Sequence, residues 1–396
     1  MELRNLRVDR SPGGAGRVRM RADVRYARGD SEEYWYEVPE SRADKLSVTG
    51  NPWLACLLPL AATLGEPLSI SLPVDKALKA NAARLMSIWR AWYPDLFEVP
   101  VQAEVETSPQ ARGQGRVGAF FSGGVDSFFT LLRDRATAVP AERRPIQDLI
   151  TVCGFDIAVE RSGAFGSLLD RHRDIADRLG HELIDVTTNL RRTRWAEARW
   201  GYLAHGAGLA SIALAFEQRF DAVYIAGSGG YRKFLPWGSH LVTDPLFSTG
   251  NTAIVNDAAA YLRTEKIGIL ASSQLALEFL RVCYESPNED NCGRCSKCVR
   301  TMVALDLFGA LSDCKTLPHP SDLIDRVARI DCSSFADFRE LEDLRRVAES
   351  MKRLDVVIAL DRSIWRTRLR QAVRTSRRAI DGPAGRIASL LDRIKR

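Results

Sequence analysis

Residues 117–132 read Val117-Gly-Ala-Phe-Phe-Ser-Gly-Gly-Val-Asp-Ser-Phe-Phe-Thr-Leu-Leu132, and this stretch decides the fold. An apolar run runs straight into Ser122-Gly-Gly-Val-Asp-Ser127, and a second apolar run at helical spacing follows. Strand, glycine turn and helix N-terminus in that order make an anion cradle. Glycines let backbone N–H groups approach an oxyanion, and the helix dipole favours negative charge there. Ser122 and Ser127 add hydroxyl donors. The segment has no Gly-Lys-Ser/Thr ending, so it is not the lysine-bearing loop that grips a β,γ-phosphate.

Outward from the loop, residues 116–314 alternate strand-like and helix-like runs, which predicts an α/β core with a parallel sheet and helices on both faces. Strands are expected at 149–155, 183–186 and 222–226. A helix over 167–179 ends at Gly180, and a buried helix over 202–220 contains His205, read as a packed core histidine. Ligands of such sheets bind beyond the C-terminal strand ends, which puts the 122–127 loop, Phe155-Asp156 and Gly227-Ser-Gly-Gly230 on one rim. Residues 1–110 read as a separate α+β unit. It has strands within 17–38 around the turn cluster 28–31, an apolar helix over 51–64, a strand over 67–73, an amphipathic helix over 75–93 and a closing strand over 99–105. A polar, glycine-bearing linker follows at 106–115. The core unit is taken as 111–315, and 316–396 as a helical, basic C-terminal region. Its helices are expected from Ser333 or Ser334 to 354 and from Asp355 or Asp361 to 378, with Gly382-Pro383 as the stop.

At 396 residues, 45% hydrophobic and 27% charged, the chain has the composition of a globular enzyme. Its first residues lack the apolar core of a secretory signal, and the apolar run 53–64 is too short to span a bilayer and is broken by Pro59. A cytoplasmic protein with no membrane partner is expected. The net charge of +6 is uneven: residues 362–396 carry eleven Lys/Arg against Asp381 and Asp392, a net of +9, which leaves −3 for the rest. Such a run is a solvated helix face or a contact for an acidic partner or nucleic acid.

Four of the eight cysteines fall in sixteen residues as Cys283-x8-Cys292-x2-Cys295-x2-Cys298, with Gly293 for the tight turn. Four thiolates at this spacing suit one tetrahedral zinc, closed and therefore structural, with an iron–sulfur cluster as the other occupant. Cys56, Cys153, Cys314 and Cys332 are scattered and read as packing.

The Ser-Gly-Gly-Val-Asp-Ser loop resembles that of the PP-loop ATP pyrophosphatases. Paired with the cysteine tetrad, over roughly residues 116–305, it resembles the 7-cyano-7-deazaguanine synthases. That resemblance implies a PP-loop core, ATP with Mg²⁺, cleavage between the α- and β-phosphates, and a structural Zn²⁺. It also implies adenylation of the carboxylate of 7-carboxy-7-deazaguanine, capture by ammonia as the amide, and dehydration to the nitrile with a second ATP. On that pattern Ser122, Gly123, Gly124, Asp126 and Ser127, with Val125 between them, hold ATP; from their place past the second strand, Phe155 and Asp156 are the further nucleotide candidates, Asp156 meeting the adenine or ribose edge or merely capping the turn. Asp126, Ser122 and Lys266 are then the catalytic set, the four cysteines the metal ligands, and Arg300 a substrate contact. Where the family carries a Tyr-Pro-Asp-Cys-Arg segment, this chain has the glycine- and aromatic-rich loop 227–244. Gly229, Arg232, Trp237 and His240 are its candidate substrate residues. Extended relatives of these synthases occur in antiphage operons, some joining a deazapurine acid to a protein amine, so the added regions imply a partner protein as acceptor ahead of a nucleic acid. The alternative is a tRNA-modifying PP-loop enzyme that adenylates a base oxygen.

Overall fold

The structure is a computed structural model and describes residues 1–11, 16–106, 115–135, 143–228, 230–232, 234–286, 290–330 and 335–380. Gly229, Cys332, Ser333, Ser334, Gly382-Pro383, most of the expected linker and the end of the basic tail lie outside the described residues. In chain order the elements are β1 (Glu2–Arg10), β2 (Arg17–Arg25), β3 (Ser31–Pro39), α1 (Asn51–Leu64), β4 (Leu68–Val74), α2 (Lys76–Trp92) and β5 (Val101–Val105). Then come β6 (Arg116–Phe120), α3 (Val125–Leu132), β7 (Asp148–Cys153), α4 (Ser162–Leu179), β8 (Glu182–Thr188), α5 (His205–Ala215), β9 (Phe220–Ala226) and β10 (Ala253–Asp257). The elements that follow among the described residues are helices: α6 (Arg263–Leu270), α7 (Gln274–Phe279), α8 (Ser296–Leu307), α9 (Leu323–Arg329), α10 (Phe335–Ser350) and α11 (Leu354–Ile380).

All ten strands belong to one α/β sheet, in the order β10-β9-β6-β7-β8-β3-β2-β1-β4-β5. The five strands from β6 onward are mutually parallel. Numbered among themselves they run 3-2-1-4-5, so the winding reverses between β6 and β9, where open sheets of this kind leave a crevice. Alternation along β6 sends side chains to two cores. Phe120 joins one with Ile150, Ile184 and Val223, while Val117 and Ala119 join the other with Leu149, Ala222 and Tyr224. The second core is closed by α3, α6, α8 and the C-terminal helices.

The first 110 residues are not set apart from this core. β3 pairs antiparallel with β8 through Tyr36↔Thr188 and Glu37↔Thr187, so β1 to β5 extend the same sheet. α1 covers α5 in the shared core, the Tyr36 hydroxyl donates to Ser211 Oγ (2.9 Å), and Trp195 Nε1 donates to the Cys56 carbonyl (2.7 Å). The buried Glu217 carboxylate accepts from Thr49 Oγ1 (2.8 Å) and Asn51 Nδ2 (3.1 Å), tying the start of α1 to the end of α5. A boundary at residue 110 marks where the connection runs, while the packing crosses it.

Local signals otherwise hold. Asp75 caps α2 by accepting from the N–H groups of Ala77 (2.8 Å) and Leu78 (3.0 Å). Gly180 ends α4 with φ +75°, the left-handed conformation glycine tolerates. The helix expected over 202–220 differs: a π-helical turn, Trp200–Ala204, leads into α5, which stops at Ala215, and β9 begins at Phe220. Phe216 and Phe220, four residues apart, continue the helical pattern, but sheet pairing with β6 claims Phe220. Among the described residues no helix is long and apolar enough to cross a membrane.

Candidate active site and metal centre

β6 ends at Phe120, and Phe121 to Gly124 turn the chain into α3. Gly123 sits at φ +73°, a conformation disfavoured for any residue with a Cβ. Its carbonyl accepts from Arg281 N–H (2.7 Å), which ties the segment ahead of the cysteines to the loop. Ser127 Oγ donates to the Gly124 carbonyl (3.0 Å) and lies 3.4 Å from Ser122 Oγ, so the two hydroxyls face each other across the turn. Ser122 is exposed at the mouth, while Gly123 and Ser127 are buried.

His172, from α4, forms the floor. Its Nδ1 is 2.8 Å from Thr151 Oγ1, its ring meets Phe121 edge-on, and its buried Nε2 has no hydrogen-bond partner. A Cβ on Gly123 would sit 3.1 Å from that nitrogen. Burial pulls the His172 pKa down to about 3, so the ring is neutral at physiological pH.

Asp126, on the first turn of α3, accepts from Lys266 Nζ (2.8 Å) and Arg263 NH1 (2.7 Å). Burial would raise its pKa, but the two cations outweigh it and hold the carboxyl below its ordinary value. Lys266 is fully buried and also donates to the Gly227 carbonyl just past β9. It therefore bridges the two sides of the crevice, from the glycine loop to the end of β9. Arg300 NH1 lies 3.2 Å from Glu340 of α10, and Arg263 Nε 3.9 Å from the same oxygen. Lys297, half-buried on the first turn of α8, is within electrostatic reach of Asp126, Asp156, Arg263 and Glu340; burial lowers its pKa. Lys266, Arg263, Lys297 and Arg300 thus form a cationic cluster around Asp126 and Glu340.

On the other rim, Phe155 packs against Trp200 (4.6 Å between rings), Trp200 against His205 (4.6 Å), and Arg191 lies over Trp200 at 5.2 Å. Asp156 is exposed beside this aromatic wall. Burial pulls His205 down to about 4, opposed by the Asp156 charge, so His205 belongs to the wall as well as to the core. Trp200 opens the π-helical turn that leads into α5.

The candidates from loop 227–244 do not meet in one pocket. Arg232 is exposed, paired with Glu265 (2.5 Å) and the Ala260 carbonyl (3.2 Å). Trp237 packs on Tyr202 (5.5 Å), and His240 is buried between Trp92 (4.9 Å) and Phe234 (4.6 Å). Their turn is pinned by buried Asp244, which accepts from Ser239 Oγ (2.7 Å), His240 N–H (3.0 Å) and Asn256 Nδ2 (2.7 Å). His240 therefore faces α2 and Trp237 the π-helical turn at 200–204, while Arg232 and Arg300 lie near α6 and α10. A cleft of about 520 Å³ between Leu132, Arg178, Ile269 and Gln274 lies at the far ends of α3 and α6, away from the loop.

The four cysteine Sγ atoms lie within 4.8 Å of one another, with Cys283 to Cys295 at 3.9 Å and Cys292 to Cys298 at 4.0 Å. Tetrahedral zinc with bonds of about 2.3 Å needs sulfur separations of roughly 3.8 Å, so the set is compatible with zinc. Backbone N–H groups already point at the sulfurs: Ser286 at Cys283 (3.1 Å), Cys295 at Cys292 (3.3 Å) and Cys298 at Cys295 (3.4 Å). Gly293, at φ +66°, packs so closely on Pro318 that a Cβ would collide with it. Cys295 and Cys298 open α8, whose same first turns carry Lys297 and Arg300. The knuckle therefore orients two cations toward the crevice.

Sequence reasoning missed Arg263, Lys297, His172 and Glu340. Arg263 stands one helical turn before Lys266, a spacing visible in the sequence once Lys266 is suspected. His172 and Glu340 give no local signal. Comparison with protein-family models, curated proteins and solved structures finds no match for this chain.

Proposed function

We propose that this protein is an AMP- and pyrophosphate-releasing ligase of the PP-loop kind. It activates a carboxylate with ATP and transfers the acyl group to an amine. One observation carries the reading: Lys266 and Arg263 converge on Asp126 beside a glycine turn and helix N-terminus, at the point where the sheet reverses its winding. The cradle takes phosphate oxygens on the backbone N–H groups of the turn, with Ser122 and Ser127 as hydroxyl donors. Lys266, Arg263, Lys297 and Arg300 offset the charge that collects on departing pyrophosphate. A substrate carboxylate oxygen attacks the α-phosphorus, the bond to the α,β-bridging oxygen breaks, and pyrophosphate leaves. An amine then attacks the acyl carbon, AMP leaves with the electron pair, and the amine proton passes to solvent. Mg²⁺ would screen the phosphate oxygens, and Asp126, which here accepts from Lys266 and Arg263, is the loop carboxylate that would hold it. Zn²⁺ at Cys283, Cys292, Cys295 and Cys298 is structural, since four thiolates close its coordination.

The aromatic wall of Phe155, Trp200 and His205 suits a flat heterocyclic acid such as 7-carboxy-7-deazaguanine. The acceptor is ammonia or an amine of a partner protein, in a cytoplasmic setting that keeps the thiols reduced. The test is exchange of labelled pyrophosphate into ATP, which needs a reversibly formed acyl-adenylate. Exchange should depend on the acid and fall by orders of magnitude in Asp126→Ala. Exchange without any acid, or none with a panel of heterocyclic acids, contradicts the proposal.

A further inference from the structure

The crevice already contains an anion of its own. Glu340, on the second turn of α10, places one carboxylate oxygen 3.2 Å from Arg300 NH1 and 3.9 Å from Arg263 Nε. The second contact is too long for a hydrogen bond, so the carboxylate fits its receptor imperfectly. Arg263 spends NH1 on Asp126, and its NH2 is buried without a hydrogen-bond partner. Among the described residues, Lys266, Arg263, Lys297 and Arg300 stand around this point against Asp126, Asp156 and Glu340, four positive charges to three negative. A buried guanidinium nitrogen with no acceptor is costly, and Glu340 leaves that nitrogen of Arg263 unfilled. A phosphate chain, with more oxygens and more charge, can fill it.

Resting on the nucleotide reading above, we propose that Arg263 and Arg300 form a subsite for the terminal phosphates, and that Glu340 is its built-in occupant, displaced when they bind. α10 need not leave. Leu341, Leu344 and Ala348 are buried in the core and hold the helix, while the Glu340 side chain is partly exposed and has solvent to swing into. The carboxylate compensates the guanidinium charges in the empty protein and at the same time lowers the affinity for anions. Removing its charge should therefore tighten phosphate binding, the opposite of what removing a ligand would do.

The experiment is calorimetric titration of the full chain with inorganic pyrophosphate, with and without Mg²⁺, comparing wild type, Glu340→Gln and Glu349→Gln. Glu349 lies on the same helix, is exposed and pairs with Arg345 (3.0 Å), so its variant controls for net charge. Two partly exposed ion pairs relieved at once predict that Glu340→Gln binds pyrophosphate more tightly by on the order of threefold to tenfold, with Glu349→Gln unchanged. Glu340→Ala should show the same gain. Equal or weaker binding by both Glu340 variants overturns this inference alone, and a gain equal to that of Glu349→Gln reduces it to general electrostatics and overturns it too. If wild type and variants all fail to bind pyrophosphate, the nucleotide reading falls with it.

Discussion

Acid should weaken this fold through His172 in a way that can be separated from every other titrating group. The ring lies under the glycine loop, its Nε2 is buried without a partner, and its pKa is held down to about 3, against an unfolded value near 6.5. A pKa depressed on folding means that the stability from the neutral ring is complete above about pH 6.5 and is lost as pH falls toward 3. Between about pH 7.5 and about pH 5 the loss is about 2 kcal/mol, and it stays near that value for any folded pKa below roughly 4. His205, held to about 4, pulls in the same direction but less, being half-buried. His172→Asn removes the titration while leaving an amide near Thr151. At neutral pH the variant should be less stable, by roughly 1–3 kcal/mol, from lost packing on Phe121. At about pH 5 its deficit should shrink by about 2 kcal/mol. Urea unfolding followed by tryptophan fluorescence, at both pH values and with a common slope, measures that change. Parallel wild-type and variant profiles would refute the argument and mean that Nε2 reaches a proton acceptor or bulk water.

Three further outcomes are expected. Gly123→Ala forces a Cβ to 3.1 Å from His172 at a left-handed φ, so it should cost about 1–2 kcal/mol of stability and lower ATP affinity by calorimetry. Metal analysis should find one zinc per chain, and Cys298→Ser should lower the melting temperature while disordering the start of α8, because metal-binding energy at such a site is folding energy; iron with acid-labile sulfide would point to a cluster instead. Deleting residues 1–106 should give insoluble protein rather than a free core, since it bares the β8 edge and the apolar face of α5; a soluble truncation with native far-ultraviolet dichroism would show that β6 to β10 stand alone.

What was legible in the sequence was local. The strand, glycine turn and helix at 117–132 and the knuckle at 292–298 are each encoded within one short segment, and both stand where their spacing puts them. Lys266 was singled out by the family resemblance alone, as a lysine ahead of the cysteines, and nothing local in the sequence marks it. The joining of the first 110 residues to the core was not, because it depends on β3 meeting β8 across 150 residues of chain, which no local pattern records. Glu340 and His172 were hidden for the same reason: each looks like an ordinary member of an amphipathic helix until the fold sets it beside the loop. Loop 227–244 misled because its aromatic and hydrogen-bonding residues suggest one pocket, whereas Asp244 pins the turn with His240 against Trp92 of α2 and Trp237 on Tyr202, and Glu265 draws Arg232 outward.

The central claim is that the loop serves cleavage between the α- and β-phosphates. Product analysis with ATP labelled separately at the α- and γ-positions, in the presence of 7-carboxy-7-deazaguanine and Mg²⁺, tests it most directly. Labelled AMP and labelled pyrophosphate in equal amounts are predicted, with both lost in Lys266→Met. Release of ADP and inorganic phosphate, or cleavage that survives Lys266→Met, would contradict it.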